Sequence, residues 1–236
     1  MNKITSLQNP HIKELVLLRP EKALFLVEGF HLVKMALEAG AALEILSLEP
    51  FQAAVPVTLV TPQIIQKLSS TKTPEGIVAL CRMPSSPTIE SSRALFLDGI
   101  QDPGNVGTLL RTALSFGFQN VYLSKGCANP LNSKTLLASQ GAIFKLALFP
   151  DCDLPAKMRE LSAAGFFLVS TDLATSVTLS SLPKKDKIAL ILGNEARGVS
   201  QEVQGASDVR VRLEMSGIDS LNVAVAGGIL MYELRR

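Results

Sequence analysis

Three short stretches of this 236-residue chain set polar side chains of complementary type among apolar or glycine-rich neighbours. The first runs from Asp98 to Thr112 and contains Asn105, Gly107 and Arg111. The second is Gly193-Asn194-Glu195, with Arg197 close behind, at the end of the apolar run Ile188 to Leu192. The third places Asn222 ahead of Ala224, Ala226, Gly227 and Gly228. A buried strand that ends in glycine and polar residues commonly ends at a site, and a small-residue helix permits close backbone approach. One amide, one acid and one guanidinium around such elements suit a ligand held mainly by backbone groups. The same residues also describe an ordinary α/β unit with a charged surface loop.

Several chemistries are excluded by what the chain lacks. His11 and His31 are its only histidines, and both precede the three stretches, so a histidine triad or metal site among them is unavailable. Cys81, Cys127 and Cys152 are far apart with no C-x-x-C spacing, which argues against zinc and against a disulfide framework. Gly99, Gly104 and Gly107 suggest a phosphate-cradling turn, yet the G-x-G-x-x-G spacing is missing and Lys125 follows the second strand where an acid is needed. A nicotinamide-type oxidoreductase is therefore disfavoured. Asn105 and Arg111 are six residues apart, so on a helix Arg111 projects from a later turn and need not share a face with Asn105.

The elements that must position these residues follow from periodicity and breakers. A helix is expected from Asn9-Pro10 to Leu18, a strand over Ala23 to Val27, a turn at Glu28-Gly29 and a helix from Phe30 to Ala39. Short strands at Leu43 to Leu48, Val57 to Val60 and Ile77 to Cys81 enclose a helix opened by Thr61-Pro62 and running through Leu68, with Thr61 as its cap. Pro and Ser then dominate Met83 to Thr88, which reads as a linker. Beyond it, strands at Arg93 to Leu97, Asn120 to Ser124, Ile143 to Leu148, Phe166 to Ser170 and Ile188 to Leu192 alternate with helices from about Gly104 to Phe116, Leu131 to Ser139 and Leu154 to Ala164. A short β-type run follows at Val209 to Leu213. The expected fold is α/β: a small N-terminal α/β domain at 1–84, a linker at 85–92, and at 93–236 a mostly parallel sheet with helices on both faces.

Bulk properties bound the partners. The chain is 47% hydrophobic and 19% charged, a globular composition. Lys and Arg number 8 against 7 Asp and Glu through Pro84, and 15 against 14 after it, so neither part is a polycationic tail. Aromatics make up only 5% of the chain with no Trp, so base stacking cannot be the main mode of any nucleic-acid capture. The start of the chain has no apolar signal-type core and no stretch long enough to span a bilayer, which points to the cytoplasm and no membrane.

Taken together, Asn105 to Ala113 (NVGTLLRTA), Leu192 to Ser200 (LGNEARGVS) and Ser220 to Leu230 (SLNVAVAGGIL) are similar, in order and spacing, to the three motifs of the SpoU/TrmH family of RNA ribose 2′-O-methyltransferases, within the SPOUT superfamily. The segments from Ile4 to Pro10, Phe25 to Gly29 and Lys72 to Ile77 resemble the N-terminal RNA-recognition domain that many members carry, so the likeness spans essentially the whole chain. The resemblance implies a C-terminal domain with a deep trefoil knot, an exception to the unknotted rule. It also implies S-adenosyl-L-methionine bound among knotted loops, a homodimer with the active site completed near the subunit interface, and an RNA substrate, ribosomal RNA ahead of transfer RNA, with no metal.

Carried over by position, the resemblance assigns Leu192, Gly193, Leu213 and Leu221 to the cofactor pocket, and Asn105, Arg111, Glu195, Ser220 and Asn222 to the catalytic set. The resemblance gives Arg111 the place of the residue proposed for activation in this family. A guanidinium is a cation under ordinary conditions, so Arg111 is expected to bind the substrate phosphate and stabilise the developing alkoxide, with the proton passed to phosphate or water. Two departures stand out: Glu214 occupies a position that is usually Pro, and the interval from Met215 to Ser220 is one residue short of the common pattern. These bear on cofactor affinity, and they are the features that would carry a second reading, an RNA-binding member of the same fold without catalysis.

Overall fold

In a computed structural model, residues 2–18, 24–83 and 88–235 are described. Apolar β-formers in unbroken runs make the centre of the larger sheet. Arg93–Asp98 (β6) and Ile188–Gly193 (β10) lie side by side in parallel, buried along nearly their whole length, as expected of strands covered on both faces. Around them, Asn120–Leu123 (β7), Ala147–Phe149 (β8), Phe167–Thr171 (β9) and Val209–Val211 (β11) complete a six-stranded sheet in the order β11-β9-β10-β6-β7-β8, with every pairing parallel.

The alternation of β-strand side chains divides this sheet cleanly. Leu95, Leu97, Leu190 and Leu192 face one core with Pro103–Ser115 (α4) and Val223–Leu234 (α8), while Phe96 and Ile191 face another with Leu154–Ala163 (α6) and Gln201–Gly205 (α7). Glycines set how closely the helices pack. A Cβ on Gly227 of α8 would lie 2.5 Å from Leu109 and 2.7 Å from Leu192; one on Gly107 would lie 2.5 Å from the Thr135 carbonyl in Ser133–Ser139 (α5). Buried Arg93 anchors the last helix, donating from Nε to the Leu234 carbonyl at 2.6 Å.

The smaller sheet is mixed, in the order β1-β4-β3-β5-β2, formed by Asn2–Ile4 (β1), Leu24–Glu28 (β2), Ala42–Ser47 (β3), Val57–Val60 (β4) and Ile77–Arg82 (β5). Helices Pro10–Val16 (α1), Phe30–Glu38 (α2) and Pro62–Leu68 (α3) flank it. The expected linker falls partly outside the described residues, as does Ala23. The chain leading into β6 is pinned to the larger sheet: Asn120 accepts from the Ile89 amide at 2.9 Å and donates to the Ile89 carbonyl at 2.7 Å.

The two sheets share one hydrophobic core. Phe25, Val27 and Leu32 belong to the same buried cluster as Leu95, Leu110 and Ile143, and the Phe25 ring stacks on Phe144 at 6.1 Å. This contact explains one difference from expectation. Ile143 to Leu148 is not a single strand: left-handed Gln140 (φ 49°) and Gly141 (φ 84°) end α5 and start a short 3₁₀ turn over Ala142–Phe144, which plugs the inter-sheet core, so that β8 begins only at Ala147. Thr61 occupies the cap position of α3 without a side-chain hydrogen bond to the helix. The polar edge strand β1 and the single-turn α7 lack the periodicity that reveals the longer elements. Burial pushes the Cys81 thiol up to about 12, far from the reactive range. Among the described residues no helix is long and apolar enough to cross a membrane, and no cluster of His, Cys, Asp or Glu is arranged to hold a metal ion.

Candidate functional site

The site is built where β10 ends. Gly193 is in register with Asp98 at the end of β6, and the chain then folds back on itself through paired backbone hydrogen bonds between Asn194 and Gly198, each 2.9 Å. The Asn194 side chain fixes this turn twice over. Its Oδ1 accepts from the Ala196 and Arg197 amides at 3.0 and 3.1 Å, and its Nδ2 donates to the Gly99 carbonyl at 2.7 Å. Asp98 fastens the far side by accepting from the Ser200 amide at 2.8 Å. The folded turn comes so close to β10 that a Cβ on Gly193 would lie 2.1 Å from the Val199 nitrogen. Only glycine fits there.

Beside this turn opens a cavity of about 280 Å³. Leu192, Gly193, Glu195, Leu213, Ser220 and Leu221 line it, all from the set expected to serve a ligand. Glu214 and the short interval before Ser220 do not close it: Met215 and Leu213 stand in its wall. Apolar leucines and backbone groups beside a glycine cradle fit a nucleoside-sized group with few charges. Thr171, Asp172 and Arg212 also line the cavity and escaped the sequence reading. Their signal was present: Ser170-Thr171-Asp172 is another apolar strand ending in polar residues. Asp172 is held at the wall by the Ala174 amide, 2.9 Å from Oδ1, and by Arg210 at 3.5 Å.

A chain of polar side chains leads from Glu195 in the cavity wall to Asn105 and Asn222, which line a neighbouring groove between α4 and α8. Asn222 caps α8, its Oδ1 accepting from the Ala224 and Val225 amides at 2.9 and 3.3 Å. That duty orients the amide, leaving its Nδ2 to donate. It does so to Asn105 Oδ1 at 3.0 Å, and Asn105 Nδ2 in turn donates to Glu195 Oε1 at 2.9 Å. The polarity of the chain is thus set by a helix start and ends on a carboxylate facing the cavity. Asn105 is placed by its own helix: Asp102 caps α4 by accepting from the Asn105 amide at 2.9 Å. That amide, and then Lys134 at 3.2 Å, hold the Asp102 carboxyl below its usual range.

Arg111 stands apart. It lies outside the cavity on the exposed stripe of α4, and its guanidinium makes no hydrogen bond or ion pair among the described residues. Next to that stripe α8 turns apolar side chains outward: Val225, Ile229 and Tyr232 are 53, 42 and 48% exposed, around Thr108 and Phe116 of the α4 end. Ser220 lines the cavity while remaining largely exposed.

Similarity to known proteins covers the whole chain. The family model of SpoU rRNA methylases matches residues 92–232, and that of the MRM3-like substrate binding domain matches residues 9–79. The 23S rRNA (guanosine(2553)-2′-O)-methyltransferase RlmP of Bacillus subtilis (strain 168) is 34% identical over 248 residues, spanning 100% of both chains. Among solved structures, an rRNA methyltransferase from Sinorhizobium meliloti superposes with a TM-score of 0.90 at 29% identity, covering 99% of this chain and 97% of that one. An AdoMet-bound rRNA methyltransferase structure from the same organism gives a TM-score of 0.87 at 27% identity, with the same coverage.

Proposed function

We propose, for a chain that belongs to the SpoU rRNA methylase family, a division of labour in which the cavity beside Gly193 holds the methyl donor and Asn105, Glu195 and Asn222 present the target nucleotide. The protein is an RNA ribose 2′-O-methyltransferase that uses S-adenosyl-L-methionine. The observation that carries the assignment of residues is the hydrogen-bonded chain Asn222–Asn105–Glu195, which ends on the cavity wall at Glu195.

Leu192, Leu213 and Leu221 supply apolar walls for the donor and Gly193 the close backbone approach. S-adenosyl-L-methionine contributes an electrophilic sulfonium methyl when bound. The protein's own task concerns the acceptor, since a ribose hydroxyl is a weak nucleophile whose proton must leave as it attacks. Glu195, its Oε1 occupied by Asn105, keeps Oε2 for a hydroxyl or base edge of the nucleotide. Ser220 contributes a hydroxyl on the same wall. Arg111 clamps the phosphate next to the target ribose and stabilises the alkoxide as it forms, the proton passing to phosphate or water.

Since Arg111 lies away from its own cavity, we assign it to the site of a second copy. Support comes from the apolar patch of Val225, Ile229 and Tyr232 beside it, which a homodimer would cover. Introducing a charge by Ile229→Asp is expected to yield a monomer at micromolar concentration where the unaltered chain sediments as a dimer; a monomeric unaltered chain counts against the assembly. The deep trefoil knot belongs to the same reading, formed where the Gly193–Ser200 turn and the Arg212–Leu221 segment surround the cavity. So do an N-terminal RNA-binding domain at 1–84, joined by 85–92 to a catalytic domain at 93–236, and residence in the cytoplasm, where RNA is modified. Ribosomal RNA is the favoured substrate over transfer RNA, on the strength of the full-length likeness to a 23S rRNA enzyme.

The direct test transfers a labelled methyl group from S-adenosyl-L-methionine to separated RNA fractions lacking the modification. A ribose without its 2′-hydroxyl cannot promote alkaline strand cleavage, so the expected product is an alkali-resistant labelled dinucleotide from ribosomal RNA. Label confined to transfer RNA would reverse the substrate preference, and label that alkali releases in mononucleotides would overturn ribose methylation.

A further inference from the structure

Two N-terminal motifs, Phe25 to Gly29 and Lys72 to Ile77, line no part of the methyl-donor cavity, yet they meet, the Gly29 amide donating to the Ile77 carbonyl at 3.1 Å. The Glu28 carboxylate accepts hydrogen bonds from the hydroxyls of Ser69 and Ser70, from the Ser70 amide at 3.1 Å and from Thr71 Oγ1 at 3.0 Å. Burial works against ionisation of Glu28, but these donors together outweigh it and hold its carboxyl below the usual range. At the other end of the same loop, Glu75 Oε2 accepts from the Phe30 amide at 2.8 Å, packing over left-handed Gly29 (φ 87°), where a Cβ would come within 3.2 Å of it. The segment Ser69–Gly76 is therefore stapled at both ends to the β2–α2 turn. Between the staples Lys72 and Thr73 are exposed.

This loop opens toward the catalytic half. Lys67, Ser69 and Ser70 line a cleft of about 270 Å³ together with Leu131, Asn132 and Ser133 at the start of α5 and with apolar side chains that include Leu15, Leu24 and Phe25. The next residue, Lys134, reaches Asp102 at 3.2 Å, and Asp102 caps the helix that carries Asn105. Hydroxyls, an amide and Lys67 thus stand in the cleft wall, Lys72 is exposed on the loop beside it, and Lys134 and Asp102 link the α5 side of the cleft to the helix that carries Asn105. Lysines spaced among hydroxyl donors suit a phosphodiester strand, and a glutamate-stapled loop holds its cation without waiting for the ligand to order it.

We infer that the Ser69–Gly76 loop and the cleft beside it hold the RNA strand flanking the target ribose, with Lys67 and Lys72 on its phosphates and Glu28 and Glu75 as positioning residues. This rests on the reading of the protein as an RNA methyltransferase. It distinguishes the loop as the reading edge of the N-terminal domain, and it makes the two glutamates of the motifs structural servants of one lysine.

The test uses the full chain and the RNA fraction that it methylates, measuring kcat, KM for RNA as a function of salt, and S-adenosyl-L-methionine affinity by calorimetry. Lys72→Ala is expected to raise KM for RNA roughly fivefold or more and to flatten the log–log salt dependence by about 1, with kcat within about twofold. Glu28→Ala should raise KM similarly while donor affinity stays unchanged, and Glu28→Gln, which keeps one acceptor oxygen, should fall between. Lys72 is exposed, so its variant decides the matter even where Glu28→Ala fails to fold. If the unaltered chain methylates RNA and Lys72→Ala matches it in KM and salt slope, the loop inference is overturned alone. An unaltered chain that methylates no RNA overturns the inference together with the reading beneath it.

Discussion

Arg111→Ala should lower methyl transfer by about 10²-fold or more while leaving S-adenosyl-L-methionine affinity within about threefold. The argument is geometric. Arg111 touches nothing in its own subunit's cavity, and in a partner's site it is assigned to the acceptor phosphate and not to the donor, so its removal should leave donor binding in place. It sits on a solvent stripe of α4, where truncating a side chain costs little stability, so loss of fold cannot account for loss of turnover. On the proposed role, what disappears is a fixed cation at the point where negative charge develops. Single-turnover rates and calorimetry separate these effects; equal turnover in the variant removes Arg111 from the mechanism. Mixing subunits goes further. In a dimer of Arg111→Ala with Glu195→Gln, one site regains both groups only if the arginine is supplied across the interface. Random mixing of the two inactive variants should then recover roughly a quarter of full activity. No recovery places the arginine in its own subunit's site.

Gly193→Ala is expected to weaken donor binding more than about tenfold and to cost about 1–3 kcal/mol of stability. A Cβ at 2.1 Å from the Val199 nitrogen and 2.2 Å from the Gly198 carbonyl carbon meets backbone, not a flexible side-chain end. Nor can the turn retreat freely, because Asn194 ties it to the Gly99 carbonyl and the Ser200 amide ties its far end to Asp98. The methyl group must push the whole turn outward and deform the cavity that the turn walls. Gly205→Ala is the matched control: nothing lies within 4 Å of the added carbon, so donor affinity and melting temperature should hold. A Gly193→Ala chain with unaltered calorimetric affinity would show that the cradle is dispensable.

Much of this architecture was legible in the sequence because its elements are strongly patterned. β4 and α3 fall at the expected positions since an apolar run and a Thr-Pro start leave little choice, and β10 reads as a central strand because five apolar residues end at one glycine. What escaped depends on partners distant in the chain. Ile143 resembles a strand residue until Phe25 and Leu32 are seen to need a plug from the other sheet. Asn105, Glu195 and Asn222, which the structure brings together, could be picked out by likeness to known motifs, but not their order of donation. Asn222 and Asn105 are 117 positions apart, and only the capping of α8 decides which amide gives and which receives. Asp172 was overlooked although the strand-end pattern that flagged Gly193 applies to it equally.

The core that Phe25, Leu32 and Phe144 share has a consequence for how such proteins can diversify. An RNA-reading module joined by a tether could be exchanged between enzymes as a cassette, bringing a new substrate with it. Here the α2 face and the Gln140–Phe144 turn interlock, with Met35 against Gly141 and His31 at 3.3 Å from the Gln140 carbonyl. A transplanted N-terminal half would leave that turn facing a mismatched surface and bury a void. New specificity is thus easier to gain by changing the tips of loops than by shuffling whole modules, and hybrids should succeed only when both sides of the joint are moved together.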